Sequence, residues 1–378
     1  MTPLTPEEEQ HSHAVAQMIR ARIAEAGGWI PFDAFMELAL YAPGLGYYSA
    51  GTVKLGPGGD FVTAPELSDL FSICVARQCA QVLMETGGSI LELGAGTGRM
   101  AATILETLAS LSVLPERYAI LEVSGDLRAR QQERIAQLPT ALRERVVWLD
   151  RLPAQPLRGV ILANEVLDAL PCERFAIRGE TVSAVGVSIA PDDSFIERET
   201  TADENLVRAV PASLPDGFRS EVCMRITPWI TSVADCLERG AILLFDYGLP
   251  RAHYYHPQRN AGTLRCHFKQ TAHDNPLLNV GVQDITAWVD FTRVAEAADA
   301  AGLQVHGFAT QMAFLLGAGI ESLLAQALDT VTRARLGSEA RQLLMPGEMG
   351  EVFKAMVLTR NFDVPLCGFA VQDLRASL

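Results

Sequence analysis

Residues 90–100 read ILELGAGTGRM, with Gly94, Ala95, Gly96 and Gly98 forming a GxGxG turn and a carboxylate, Glu92, two positions ahead of the first glycine. Glycines at this spacing let the chain adopt backbone angles that other residues avoid, and they let a ligand approach the main chain closely. The spacing is not the GxGxxG of dinucleotide binders, and that difference carries chemistry. A pyrophosphate seeks the amide donors at a helix N-terminus and would compete with a nearby carboxylate. A ligand bearing an amino group is instead attracted by one. S-adenosylmethionine, with an ammonium, a sulfonium and no phosphate, is a ligand of this kind. The plain alternative is an ordinary tight turn between a strand and a helix.

Other acids fall where such a ligand would need them. Glu122 closes the apolar run YAILEVS somewhat beyond the turn. In nucleoside-binding sheets an acid at the end of the second strand accepts hydrogen bonds from the ribose hydroxyls. A solvated strand-end glutamate is the alternative. Asp150, after Leu149 at the end of a third strand, could reach an adenine edge. Asn164, Glu165 and Asp168 follow the apolar run GVILA. Polar groups placed directly after a buried strand are costly unless partnered, so they are candidates for holding ligand or acceptor, or for capping the next helix. The histidines at 253, 256, 267 and 273 match neither a helical HxxxH nor a finger pattern, so no metal site is expected.

These residues need a scaffold that ends several strands at one edge. Apolar runs at Ser89–Leu93, in RYAILEVS, around Val146, in GVILANEVLDALP and in GAILLFDYG are continuous instead of alternating, which is what a parallel sheet buried on both faces requires. Helical periodicity separates them, from Arg99 to Ala109 and from Leu127 to Leu138. Stretches 305–316 and 351–358 can supply two last strands. The expected fold is therefore α/β, an open Rossmann-like sheet. Ahead of it, His13–Ala26 and the segment from Pro31 to Leu40 read as helices, and Ser68–Leu83 as a long amphipathic one that two glycines end. Residues 174–199 alternate like an inserted hairpin or two. Residues 251–290 form a long irregular excursion. The expected division is a helical extension over 1–58 and a catalytic domain over 59–378, with insertions at about 172–232 and 250–290.

Composition narrows the partners. A chain of 378 residues, 49% hydrophobic, buries a full core. Its formal charge of -14 argues against nucleic acid and anionic lipid, and favours a cationic segment as partner. Seven scattered cysteines without a CxxC pair read as reduced, mostly buried thiols. No stretch approaches the ~20 apolar residues that span a bilayer. The acidic opening MTPLTPEEEQ lacks the basic character of a signal or transit peptide, so a bacterial cytoplasmic address is expected. The oligomeric state stays open, a homodimer included.

The segments GDFVTAPELS (Gly59–Ser68), ILELGAGTGRM, ANEVLDALP (Ala163–Pro171), FDYG (Phe245–Gly248), YYHPQRNAGTLRCHFK (Tyr254–Lys269) and DITAWVDF (Asp284–Phe291) together resemble the MidA family of S-adenosylmethionine-dependent methyltransferases. The resemblance runs almost end to end, and GDFVTAPE with HPQRNAGTLR is its distinctive part. It implies a seven-stranded class I methyltransferase sheet with a helical N-terminal extension. Mitochondrial members are similar to protein arginine methyltransferases that serve assembly of respiratory complex I, which implies a protein substrate. It also implies that Gly94, Gly96, Glu122 and the loop Gly59, Asp60 and Phe61 line the cofactor, with Thr63 and Pro65 in the same motif. An arginine acceptor needs carboxylates to orient a guanidinium that is always protonated, and Glu165 and Asp168 are the candidates.

Overall fold

The computed structural model describes residues 3–50, 63–326 and 329–378. The chain forms two compact units. One comprises residues 62–166, 227–248 and 291–378, the other residues 1–61, 167–226 and 249–290.

The first unit is built on a mixed sheet. Its strands in chain order are β1 (Ser89–Leu93), β2 (Tyr118–Leu121), β3 (Val146–Leu149), β4 (Leu157–Asn164), β5 (Leu237–Leu249), β6 (Gln304–Thr310) and β7 (Phe353–Arg360). Across the sheet they run β6-β7-β5-β4-β1-β2-β3. The five strands from β3 to β5 are parallel. Of the seven, only β7 is reversed, lying antiparallel to β5 and to β6. The sheet has eight strands among the described residues: the expected seven make up the continuous path, and a two-residue strand, Val289–Asp290, lies off it. The chain steps outward from β1 to β3 and then returns to β4 on the other side of β1. That reversal opens a crevice at the carboxyl ends of β1 and β4, where open sheets of this kind bind ligands.

Side chains on both faces of the sheet are buried, as the continuous apolar runs require. In β1 Ile90, Leu91 and Leu93 are buried, and in β4 Val160, Ile161, Leu162 and Ala163. Helices α1 (Asp69–Thr86), α2 (Arg99–Ser110) and α3 (Gly125–Ile135) belong to this unit. Ser68 starts α1 by accepting a hydrogen bond from the Leu70 N–H (3.2 Å), and Gly87 ends it. Phe71 of α1 meets Phe245 of β5 edge to face at 5.2 Å, and Phe245 meets Phe314 at 4.9 Å. Each such ring adds about 1.5–3 kcal/mol by burial. The strand expected over 305–316 stops at Thr310, whose hydroxyl accepts from the Ala313 N–H and so begins the helix Gln311–Gly317.

The second unit draws on three separated stretches of chain. Its N-terminal helix, Pro6–Glu25, begins in a capping box of Thr5 and Glu8, and the helix Phe32–Tyr41 follows. The inserted stretch forms an antiparallel meander, Glu173–Arg178, Thr181–Ile189 and Phe195–Thr201, extended by Arg219–Val222 and Ile30–Pro31. The stretch expected to be irregular folds in part into a small three-stranded sheet, Arg265–Phe268, Thr271–His273 and Asp284–Thr286. Residues 167–226 fall in the second unit, and the chain re-enters the first at residue 227. Buried Ile230, Val233 and Ala234 of the next helix lead straight into β5. No helix among the described residues is long and apolar enough to cross a membrane.

Gly159, in β4, is paired in register with Ser89 of β1. It has φ +121°, and a Cβ there would stand 2.1 Å from the Ser89 carbonyl oxygen. Gly159→Ala must therefore separate the two strands that bound the crevice, and it is expected to lower stability by roughly 2–4 kcal/mol. Denaturant melts of the variant check this; an unchanged midpoint would contradict the close approach.

Candidate functional site

The register of the sheet sets the candidate site residues in one row. Leu149, Leu121, Leu93 and Ala163 are paired across β3, β2, β1 and β4. The residues that follow them, Asp150, Glu122, Gly94 and Asn164, thus lie side by side, Asn164 being the last residue of β4, paired to Phe245 of β5. Four sequence-predicted residues share one edge because four strands end within one residue of the same level.

At the centre lies the glycine turn. Gly94, Gly96 and Gly98 have φ of +68°, +54° and +80°, which is the left-handed region where side chains are strained. The Gly94 N–H donates to the Leu121 carbonyl (3.1 Å) and the Gly98 N–H to the Ala95 carbonyl (2.8 Å), while the buried Ala95 anchors the turn in the core. Gly98 occupies the N-cap of α2, without a side-chain cap. The TAPE segment braces the turn from outside. The Thr97 hydroxyl donates to the Glu66 carboxylate, Arg99 Nη1 donates to the Glu66 carbonyl (2.5 Å), and Arg99 Nε pairs with Asp69 (3.0 Å). Thr63 is the N-cap residue of the short helix Ala64–Leu67, with no side-chain capping bond. Gly59, Asp60 and Phe61, expected in the same site, lie outside the described residues.

Glu122 is 8% exposed and held at both oxygens. Oε1 accepts from the Ser124 N–H (2.8 Å), and Oε2 accepts from Gln131 Nε2 (2.9 Å). The next residue, Val123, is 76% exposed, an apolar side chain presented beside the row. Asp150 is exposed and pairs with Arg128 of α3. Asn164 donates to Glu165 Oε1 (3.3 Å). Glu165 itself has φ +52°, and its N–H donates to the Phe245 carbonyl (2.8 Å). A non-glycine residue held there costs about 1–3 kcal/mol, a strain that gathers at functional sites. Asp168, expected to act with Glu165, falls in the other unit. There its side chain is buried and its carbonyl accepts from the Ala287 N–H (3.0 Å).

Glu92 is enclosed by the sheet, 1% exposed. The Tyr118 hydroxyl donates to its Oε2 (2.7 Å), and its Oε1 has no hydrogen-bond partner among the described residues. Burial pushes this carboxyl up to about 7, the Glu122 charge pushes the same way, and the Tyr118 hydroxyl pulls it down. A buried oxygen without a donor beside a glycine turn suits a ligand that brings donors of its own. Of the four histidines, His253 and His256 flank an open depression with Gln258 and Arg259, and Arg259 stacks on Trp288 at 5.0 Å. No group of three potential metal ligands converges among the described residues.

Two residues of the site went unread in the sequence. Glu66 sits in TAPE, where nothing local marks it as a partner of the turn. Gln131 did carry a signal: it falls at four-residue spacing between Leu127 and Ile135 on the buried stripe of α3, a polar side chain where an apolar one is expected.

Residues 74–309 match the model of a family described as S-adenosyl-L-methionine-dependent methyltransferase. The chain is 30% identical to the mitochondrial protein arginine methyltransferase NDUFAF7 homolog of Drosophila melanogaster, over 94% of this chain and 89% of that one. Against the mitochondrial protein arginine methyltransferase NDUFAF7 of Homo sapiens it is 29% identical, over 88% and 80%. A crystal structure from Burkholderia thailandensis with bound S-adenosyl-homocysteine superposes with a TM-score of 0.96 at 40% identity, covering 100% of both chains. The cytoplasmic address expected from the sequence is corrected by these relatives: they are named as mitochondrial proteins, which points away from a purely cytoplasmic location.

The Glu92 carboxyl gives a test that needs no substrate. Its value in the folded chain lies above the ordinary 4.5, so the proton it holds stabilises the fold at low pH. That contribution is lost as pH rises through about 7. Glu92→Gln keeps the shape without the charge. Its melting temperature relative to wild type is expected to be similar near pH 5 and higher by several degrees near pH 8, because a tenfold change in proton affinity is worth about 1.4 kcal/mol. A difference that does not change with pH would contradict the buried carboxyl.

Proposed function

This chain belongs to that family of S-adenosyl-L-methionine-dependent methyltransferases, and from this premise we propose that it methylates arginine side chains of a protein. The observation that carries the reading is Glu165, a carboxylate held in a strained backbone conformation at the crevice edge, next to the row that ends in Asn164. The relatives named as protein arginine methyltransferases support it, as does the net charge of -14, which favours cationic segments.

The cofactor, when bound, supplies an electrophilic methyl group on a sulfonium. The chain's own residues bind and orient. Gly94, Ala95, Gly96 and Gly98 offer main chain and the start of α2 to the amino acid portion, and Glu92 stands behind them as an acceptor for its ammonium. Glu122 accepts from the ribose hydroxyls, and Asp150 borders the base. Thr63, ahead of the TAPE helix, adds to the pocket wall. Asn164 and Glu165 then face the acceptor. A guanidinium is protonated at any physiological pH and has no in-plane lone pair, so a carboxylate must fix its plane and draw off positive charge before a nitrogen can attack. Glu165 would do this by a charge-assisted hydrogen bond and would take the proton that the nitrogen loses as its bond to the methyl forms and the methyl's bond to sulfur breaks; alignment of that nitrogen supplies most of the rate.

Glu165→Gln is expected to bind S-adenosyl-homocysteine within about threefold of wild type and to lose methyl transfer by roughly a hundredfold or more. Calorimetry and a radiolabel transfer assay on protein substrate measure the two. Mass spectrometry of a lysate incubated with labelled cofactor identifies the acceptor: label on protein arginine supports the proposal, and label confined to small molecules overturns it.

A further inference from the structure

We infer that Gln131 is a positioning residue for the cofactor, holding the ribose-binding carboxylate in one geometry; the inference rests on the assignment of Glu122 to the ribose made above. Gln131 is fully buried on α3, between the buried Leu127 and Ile135. Its two amide hydrogens diverge: Nε2 donates to the Gly96 carbonyl (2.9 Å) and to Glu122 Oε2 (2.9 Å). Its Oε1 accepts from the Trp148 indole N–H on β3 (3.0 Å). One carboxamide therefore ties the loop after β1 to the acid after β2 and to β3.

The partners also fix which way the amide faces. Turned over, its oxygen would meet a carboxylate and a carbonyl, and its N–H₂ would meet the indole N–H, so every bond would become a clash of like groups. Packing alone does not call for glutamine here, because its neighbours on the same stripe are leucine and isoleucine. An apolar residue would fill the space without the desolvation that a buried amide incurs. What leucine could not do is hold the plane of Glu122. With Ser124 N–H on Oε1 and Gln131 on Oε2, that carboxylate is aimed before any ligand arrives. The turn is gauged by the same helix: a Cβ added to Gly98 would stand 3.1 Å from the Gln131 Cα.

A role exercised through Glu122 differs measurably from general support of the fold. Calorimetry on the full chain compares S-adenosyl-homocysteine with an analogue lacking the ribose diol. Gln131→Leu is expected to weaken the first by tenfold or more and the second by less than about threefold, since the analogue makes no use of Glu122. Retained binding of the analogue also reports that the variant is folded. In the Gln131→Leu, Glu122→Gln double variant the loss is expected to stay near that of Glu122→Gln alone. Gln131→Glu sets two carboxyls against each other, and they must share a proton. Its affinity relative to wild type is expected to fall from about pH 6 to about pH 8. Equal losses for both ligands, additive losses in the double variant, or a ratio independent of pH would overturn the inference. So would an unchanged affinity in Gln131→Leu while Glu122→Gln is impaired. If Glu122→Gln itself leaves binding unchanged, the ribose assignment fails, and the inference with it.

Discussion

The structure depends on strands that end level at a switch point. A parallel sheet covered on both faces leaves its edges as the places where ligands can meet main chain, and the reversal between β1 and β4 opens the carboxyl edge at one position. The in-register row Leu149, Leu121, Leu93 and Ala163 brings the next residue of each strand to that opening. A slip of one residue in any strand would turn its side chains to the opposite face and remove its contribution. The close approach of Gly159 to the Ser89 carbonyl is one of the features that hold this register.

Charge is the second theme of the edge. Glu92 lies in β1, and Glu122, Asp150 and Glu165 follow β2, β3 and β4, so one edge of the sheet carries several carboxylates in a chain that is already acidic. Like charges brought together in a partly dry site are unfavourable unless something compensates them. The structure compensates some locally: Arg128 pairs with Asp150, and Ser124 and Gln131 bond Glu122. Among the described residues Glu92 has only the Tyr118 hydroxyl, and burial makes its carboxyl hold its proton to higher pH. A cationic cofactor and a cationic acceptor are the charges such an edge is suited to receive.

Much of this was legible in the sequence because it is written locally. The glycine turn, its flanking strand and helix, and Glu122 at the end of the second strand follow from short-range pattern. Long-range pairing was not legible. Nothing in 251–290 announces that Arg265–Phe268 pairs with both Thr271–His273 and Asp284–Thr286, or that three distant stretches share one unit. Glu66 was missed for the same reason, since its partner Thr97 lies far along the chain. Gln131 was half legible: spacing marked it as misplaced, but only tertiary contact shows what it bonds. The end of the sixth strand was misread because Thr310 caps a helix in the middle of an apolar run.

The proposed chemistry requires the cofactor to lie across the carboxyl ends of β1 and β2, its sugar on Glu122 and its amino acid portion on the turn Gly94–Gly98. A crystal structure of this chain grown with S-adenosyl-homocysteine measures that directly. The predicted result is hydrogen bonds of ordinary length from the ribose hydroxyls to the Glu122 carboxylate. A nucleoside seated elsewhere, making no hydrogen bond to Glu122, would contradict it.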